Sequence, residues 1–233
     1  MAAEPSCEIK PLWHAMLLMW LPEEALSQTS VMRSALTSPY DENIRLQFAV
    51  SDLQEQVTLA GTASASDHPP NVVIAVTGPL QTSLTKAVTA LSRKLGNLAP
   101  DSQCRVVGTK QFQILEGDGP IAIFYGLRRL PSLDRAGFQD YWLNHHADIG
   151  RKLIPPYSYF QCHTDAEFTY QLQNESGHRV WDVDGIVWVH FPDRDACDRQ
   201  LAREDVAEIA IADELKFIDH NRSPFAILSN QNL

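Results

Sequence analysis

The densest chemistry in this sequence lies in Asp140-Tyr141-Trp142-Leu143-Asn144-His145-His146-Ala147-Asp148. These nine residues hold two aromatics, two histidines and two carboxylates, in a chain with eight histidines altogether. Histidine titrates nearest neutral pH, so either imidazole could act as a general acid or base once burial or a neighbouring carboxylate tunes it. Asp140 and Asp148 are the local groups that could orient it. The segment reads as a helix from about Ser132 to Leu153, stopped by Pro155-Pro156. At about 100° per residue, Phe138, Tyr141, Trp142, His145, Ile149 and Leu153 share one face, with His146 at its margin. The wheel thus favours His145 for burial.

Further candidates lie downstream. Tyr157–His163 reads as a strand whose alternate residues Tyr157, Tyr159, Gln161 and His163 share one face. Phenol and imidazole there suit binding and polarising a carbonyl or phenolate while an aromatic ring packs alongside. In Asp184–Phe191, Ile186, Trp188 and His190 share a face and form a weaker pair of the same kind. Asp184-Gly185 and Asp219-His220-Asn221-Arg222-Ser223 look like element boundaries, where such residues turn the chain. Arg128-Arg129 ends a strand and could meet a substrate carboxylate, although solvated charge is its ordinary use. No HxH, HExxH or CxxC spacing is present, and adjacent histidines on a helix diverge by about 100°. No metal site is therefore expected. No Gly-rich phosphate loop and no GxSxG elbow occur, which removes nucleotide cofactors and serine hydrolysis. A haem needs only one axial histidine, but the expectation is a protein without a cofactor.

These residues need a frame. Leu12–Leu21 reads as a buried strand, followed from Pro22-Glu23-Glu24 by a helix to about Leu36. Ile44–Val50 and, more weakly, Val57–Ala60 read as strands, and Gly61–Pro70 as a loop. Val72–Val76 is a short buried strand. Leu80, Leu84, Val88 and Leu91 space a helix ending near Gly96, and Cys104–Leu115 is a strand. After the turn Glu116–Pro120 the order recurs. Ile121–Arg129 is a strand, then come the histidine-rich helix and the strand Tyr157–His163. The polar loop Asn174–Arg179 leads to the strand Asp184–Phe191. A helical region from about Asp195 to Asp219, broken near Arg203, precedes a last strand, Phe225–Ser229. Each half reads β-α-β-β-α-β, so the fold class is α+β with two tandem ferredoxin-like units, residues 1–117 and 118–233. The offset of roughly 110 residues fits an ordinary domain size. Such a unit covers one sheet face with helices, and two units can bury their bare faces against each other, within one chain or across a dimer.

The bulk numbers constrain partners. With 233 residues, 44% apolar and 21% charged, the composition is that of a globular protein. A net charge of −10 without a basic stripe argues against nucleic acid. Cys7, Cys104, Cys162 and Cys197 are far apart, and nothing ahead of them reads as a signal peptide, so reduced thiols in the cytoplasm are expected. Leu12–Leu21 is too short to span a bilayer, so no membrane partner is expected.

Several linked segments carry a family resemblance: Asp140–Leu153 (DYWLNHHADIGRKL), Tyr159–His163 (YFQCH), Asp184-Gly185-Ile186 and Asp213–Ser223 (DELKFIDHNRS). In sequence, order and spacing they resemble the EthD family of dimeric α+β barrel proteins, over about residues 121–228. Residues 1–115 carry none of these motifs and join the same superfamily by element order alone. The resemblance implies a ferredoxin-like fold that pairs sheets into a barrel, and a homodimer. That family includes a protein associated with fuel-ether degradation and fungal enzymes that decarboxylate aromatic polyketide acids. Its wider superfamily includes polyketide cyclases, muconolactone isomerases and haem enzymes, so fold alone leaves the reaction open. The family's motif histidine directly precedes Ala, which here is His146. Trp142, Tyr159, His163 and the Asp219-His220 pair carry over likewise. The motif therefore favours His146 where the helical wheel favours His145.

Two functions follow as expectations. The first is a cofactor-independent lyase or isomerase acting on a hydrophobic, aromatic or polyketide-like oxygenated small molecule. His146, His145 and His163 would be catalytic, and Tyr141, Trp142, Tyr157, Tyr159, Trp188, His190, Asp219 and His220 would contact substrate. The second is a non-catalytic protein that holds such a ligand in its barrel for a catabolic or biosynthetic pathway.

Overall fold

A computed structural model describes residues 10–27, 29–37, 40–51, 68–96 and 103–231. Residues 1–9, which read as a loose N-terminal arm by sequence, the expected strand Val57–Ala60 and most of the loop before Pro70 lie outside the described residues. The first half runs β1 (Leu12–Met19), α1 (Glu23–Leu26), α2 (Thr29–Leu36), β2 (Arg45–Ser51), β3 (Val72–Gly78), α3 (Gln81–Leu95) and β4 (Cys104–Leu115). The second half begins with β5 (Ile121–Leu127) and α4 (Arg135–Tyr141), then a π-helical turn over Trp142–His146 and α5 (Ala147–Leu153). It continues through β6 (Tyr159–Thr164), α6 (Ala166–Ser176), the two-residue β7 (Arg179–Val180), β8 (Gly185–Phe191) and α7 (Arg194–Leu201). A second broken helix follows as α8 (Glu204–Val206), a π turn over Ala207–Ile211 and α9 (Ala212–Glu214). A 3₁₀ turn over His220–Arg222 leads to β9 (Phe225–Gln231).

Eight strands close on themselves in the order β1-β3-β2-β9-β5-β8-β6-β4, because β4 also pairs with β1. All of these pairings are antiparallel. β7 adds a short parallel pairing to β4. The β2–β9 and β4–β6 seams join the two halves, so one chain closes its own barrel. The seams are equivalent: each pairs the second strand of one βαββαβ half with the last strand of the other. Closure of the barrel does not call for a second copy.

Strand alternation divides the side chains between two faces. Met16, Leu18, Val73, Ala75, Val107, Ala122, Phe124, Cys162, Ile186, Trp188, Ala226 and Leu228 pack together with no helical residue among them, so they fill the barrel. The opposite faces carry two further cores. Leu17, Phe48, Ile74 and Val106 pack under α3 through Leu84, Val88 and Leu91. Ile123, Tyr125, Tyr159, Val189 and Ile227 pack under the second-half helices through Phe138, Trp142 and Phe217.

Two sequence expectations need correction. The sequence pattern places no element between His163 and the polar loop Asn174–Arg179, yet this stretch forms α6. Asp165 caps that helix by accepting from the Phe168 N–H, and Gly177 ends it in the left-handed region at φ 78°. Its apolar signal is thin, with Phe168 and Leu172 one turn apart among polar residues. Tyr157 also lies ahead of β6, in the turn after α5, so strand alternation does not place it. Its ring instead packs 4.6 Å from that of Phe191. Among the described residues no helix is long and apolar enough to cross a membrane.

Candidate functional site between the barrel and the second-half helices

The histidine-rich helix starts where Asp134 caps it, its carboxylate accepting from the Gly137 N–H at 2.7 Å. The helix does not stay α-helical. The Ala147 N–H reaches back to the Trp142 carbonyl, five residues away, and this π turn inserts an extra residue into the turn. The ordinary wheel therefore fails from Trp142 onward. His146 rotates inward and is buried, while His145 is exposed and rests against the Tyr141 ring at 5.1 Å. The expectation that His145 faces the interior is corrected, and with it the basis for His145 as a catalytic group.

His146 meets a carboxylate that sequence reasoning does not assign to the site. Its Nδ1 lies 2.8 Å from Asp213 Oδ2. The other oxygen, Oδ1, accepts from the Tyr141 hydroxyl and the Lys216 ammonium, each at 2.8 Å. Burial pushes the Asp213 carboxyl upward, but the hydrogen bonds from Lys216, His146 and Tyr141 outweigh it and hold it at about 2. An ionised carboxylate only accepts, so His146 Nδ1 carries the proton and Nε2 presents a lone pair. Burial lowers the His146 pKa from its ordinary value against the opposing pull of Asp213, keeping the ring neutral at pH 7.

The adjacent Glu214 stands on the other side of the same ring, its Oε1 3.9 Å from His146 Nε2. Its second oxygen is 3.5 Å from His220 Nε2. His220 Nδ1 lies 2.8 Å from the Tyr125 hydroxyl. Burial, then the charge of Asp213, raises the Glu214 carboxyl to about 8. About a fifth of the Glu214 side chain remains exposed, so this cluster reaches solvent through Glu214 and Lys216. Asp213 and Glu214 belong to the segment Asp213–Ser223 that carries part of the resemblance. Their adjacency to the Asp219-His220 pair is the signal that could have found them. Tyr125 offers none, since it reads as one residue of an apolar strand.

The remaining expected residues separate into distinct roles. Trp142 donates its indole N–H to the Tyr159 hydroxyl at 3.0 Å, and Gln161 donates to that hydroxyl and to the Trp142 carbonyl. His163 stacks on Trp142 with ring centres 4.7 Å apart, and Phe112 packs on it at the same distance. Its Nε2 is 3.1 Å from Gln161 Oε1, and burial lowers its pKa to about 3. With both faces covered and one nitrogen bonded, His163 as placed buttresses Trp142 and stands apart from the His146 cluster. Gly185 is needed for the same packing, because a Cβ there would run into the Trp142 ring. Gly150 likewise lets α5 approach Tyr159, where a Cβ would stand 2.5 Å from Cε1.

Trp188 and His190, expected beside Tyr159, point the other way, into the barrel. His190 Nδ1 bonds Ser158 at 3.0 Å and its Nε2 meets Gln47 at 2.9 Å. They therefore do not face the His146 cluster across one cavity, because the sheet separates them. Asp219 shapes the chain: its carbonyl accepts from the Ser223 hydroxyl, its N–H bonds Arg128, and its carboxylate sits 3.8 Å from Arg222. Arg129 and Arg135 are ion-paired to Asp184, which also accepts from the Arg129 N–H.

No group of three or more His, Cys, Asp or Glu among the described residues is placed to hold a metal ion. A haem bond from His146 Nε2 would have to displace the Glu214 carboxylate 3.9 Å away, so His146 as placed does not suit an axial bond to that group.

Comparison with known proteins agrees with this layout. Residues 130–221 match the model of the EthD domain family. That stretch contains His146, Asp213, Glu214 and His220 and leaves out Tyr125. No curated protein sequence matches the chain. Solved structures match along nearly its whole length. An anthrone oxidase-like protein superposes with a TM-score of 0.62 at 10% identity, covering 97% of this chain and 94% of that one. A mutant chlorite dismutase from Candidatus Nitrospira defluvii gives 0.54 at 11% identity, over 95% and 91%. A heme-binding protein from Thermus thermophilus gives 0.51 at 9%, over 100% and 96%. At such identities the likeness establishes the fold, that of the dimeric α+β barrel proteins.

Proposed function

We propose that this barrel protein with its match to the EthD family is a cofactor-independent enzyme, a lyase or isomerase, in which His146 is the general base. The observation that carries this reading is the 2.8 Å bond from His146 Nδ1 to Asp213. It fixes the tautomer and leaves the Nε2 lone pair on the side of the ring where the partly exposed Glu214 stands. The Phe217 ring lies 5.1 Å from the imidazole. The substrate is a hydrophobic, oxygenated aromatic molecule with an acidic C–H. His146 Nε2 takes the proton, and the C–H electron pair moves onto the substrate oxygen as an enolate or phenolate. Return of the proton elsewhere isomerises the substrate, while expulsion of a leaving group makes the step a lyase reaction. The name of the anthrone oxidase-like relative refers to an aromatic ketone with a readily ionised C–H, and it is the acidity of such a C–H, not the oxidation, that this reading takes up.

Deuterium uptake from D₂O tests the proposal, with anthrone, 1,8-dihydroxyanthrone and 2-tetralone as probes followed by mass spectrometry. The protein should accelerate uptake over buffer for at least one probe. His146→Ala should lose about 10²–10⁴-fold, the usual contribution of a positioned base, whereas His145→Ala should match the parent. Equal rates in the parent and His146→Ala would end the base assignment. Thermal stabilisation by the ketones without exchange would instead fit a binding protein.

A further inference from the structure

A base that removes a proton from carbon leaves charge on oxygen, and a site that does this at pH 7 gains from an acid within reach of that oxygen. We infer that Glu214 is this acid, held by His220 and Tyr125, and that the substrate bears its carbonyl next to the reacting C–H. The inference rests on the His146 reading above.

The geometry supplies the argument. Asp213 and Glu214 are neighbours in the chain but flank one imidazole, Asp213 at Nδ1 and Glu214 on the Nε2 side. The 3.9 Å between Nε2 and Oε1 is too long for a hydrogen bond, so nothing in the resting protein joins the base to the acid. Two atoms so spaced can reach one substrate group at two points: the reacting carbon, and the carbonyl oxygen two bonds away. They cannot address in the same way a ketone whose acidic C–H lies across a ring from its oxygen, as in anthrone. His220 stands on the far side of Glu214, its Nε2 3.5 Å from Oε2 and without a hydrogen-bond partner. Tyr125 bonds the other nitrogen of that ring. Burial and the nearby acids raise its pKa, so it stays a phenol, and in the proposed acid its hydroxyl donates to Nδ1, with the His220 proton on Nε2 facing the carboxyl.

The step balances without an added reagent. His146 Nε2 takes the proton from carbon, the C–H pair forms the new C=C bond, and the carbonyl π pair moves to oxygen. That oxygen takes the Glu214 proton, leaving imidazolium and carboxylate, with His220 Nε2–H bonded to the carboxylate. Reversal at the same carbon resets both groups and exchanges its hydrogen, whereas in a substrate with a second, conjugated C=C, protonation at the far end of the dienol resets both groups and shifts the double bond. The ionisable groups facing Glu214 include Asp213, His146, His220, Tyr125 and Tyr159, with Lys216 beyond Asp213 and Asp219 beside His220. The rise of the Glu214 pKa to about 8 agrees with an acid that holds its proton at neutral pH.

Two measurements on the full-length protein separate this inference from the reading it rests on. The first is a ¹³C NMR titration with carboxyl-labelled glutamate. One carboxyl should titrate near pH 8 and vanish in Glu214→Gln; if every glutamate titrates in the ordinary carboxylate range, the inference is overturned. The second is deuterium uptake into 2-tetralone. Glu214→Gln should lose 10²-fold or more with a thermal transition no lower than the parent's, and Glu214→Asp should recover part of the rate. Full loss in His146→Ala with parent rates in Glu214→Gln overturns the acid and leaves the base standing. Parent rates in His146→Ala overturn the base, whatever Glu214 does.

Discussion

Asp213→Asn is the sharpest perturbation of the site, because it replaces one oxygen by NH₂ and leaves the shape alone. In the parent, Oδ1 accepts from Tyr141 and Lys216 and Oδ2 accepts from His146 Nδ1. An amide has one acceptor and one donor end, so it must choose. Keeping its oxygen toward Lys216 and Tyr141 retains two bonds, one to a charged donor and worth about 1.5–3 kcal/mol. Turning it toward His146 retains one neutral bond, worth about 0.5–1.5 kcal/mol, and aims NH₂ at an ammonium. The first orientation wins. The amide N–H then faces His146 Nδ1, which must become the lone pair, and the ring proton moves to Nε2, where it blocks the base. Restoring the active tautomer would set two N–H groups against each other, at a cost of about 1–3 kcal/mol for an unmet buried donor. That penalty alone slows proton abstraction about 5- to 150-fold, and the corresponding change in a serine protease triad costs about 10⁴. ¹⁵N NMR of the labelled histidines should show the proton on Nδ1 in the parent and on Nε2 in the variant. Deuterium uptake should fall in parallel. A variant with its proton on Nε2 and an undiminished rate would refute the argument, because no lone pair would then be available at the proposed base.

Stability should depend steeply on pH, with a sign set by the buried histidines. His14 and His163, with pKa values lowered by burial to about 3, and His190, lowered to about 4, stay neutral in the fold but charge at about 6.5 when unfolded. Their contribution is complete above 6.5 and is lost as pH falls toward their folded values. Glu214 acts oppositely, holding a proton in the fold up to about 8 that it releases near 4.5 when unfolded. Unfolding between pH 5 and 6 therefore takes up about two net protons, a slope of about 3 kcal/mol per pH unit. Urea unfolding at pH 5.0, 6.0 and 7.0 measures it, and a flat profile would contradict neutral buried imidazoles. Glu214→Gln should in addition remove the fall in stability between pH 7 and 8. Gly150→Ala sets two effects against each other. Helix propensity favours alanine by about 1 kcal/mol, but the new Cβ stands 2.5 Å from Tyr159 Cε1, and overpacking costs about 1–3 kcal/mol. A lowered thermal midpoint is expected in a melting scan, and a raised one would show that Tyr159 yields freely.

Local patterns in the sequence are legible where they are self-contained. Cys104–Leu115 is a strand over its full expected length, and Gln81–Leu95 follows the apolar spacing of Leu84, Val88 and Leu91. The break near Arg203 also falls where the pattern puts it, between Leu201 and Glu204. Barrel closure is not legible in the same way. The β2–β9 seam joins Ser51 to Leu228 by backbone hydrogen bonds, which carry no side-chain signature. Alternation shows that a strand has two faces but not which cover each receives. Sequence pattern groups Trp188 and His190 with Tyr159 for that reason, although Trp188 packs inside the barrel and Tyr159 under helices.

The site is hidden from the sequence for a more particular reason, and that reason bears on how it is built. Both partners of the His146–Asp213 pair end or closely follow a π turn, Trp142–His146 on one helix and Ala207–Ile211 on the other. Each turn holds an extra residue that no α-helical wheel allows for. On the first helix it rotates His146 under Phe217 and puts His145 outside. The second lies in a segment where no residue from Glu204 to Ala212 is buried, yet it delivers Asp213 into the interior next in sequence. Burial of an apolar stripe cannot fix the rotation of such a segment. The hydrogen bonds of Asp213 to Tyr141, His146 and Lys216 do so instead, binding the two π-turned helices to each other through one carboxylate. Asp213 therefore sets the tautomer of His146 and the seating of the segment that carries Glu214.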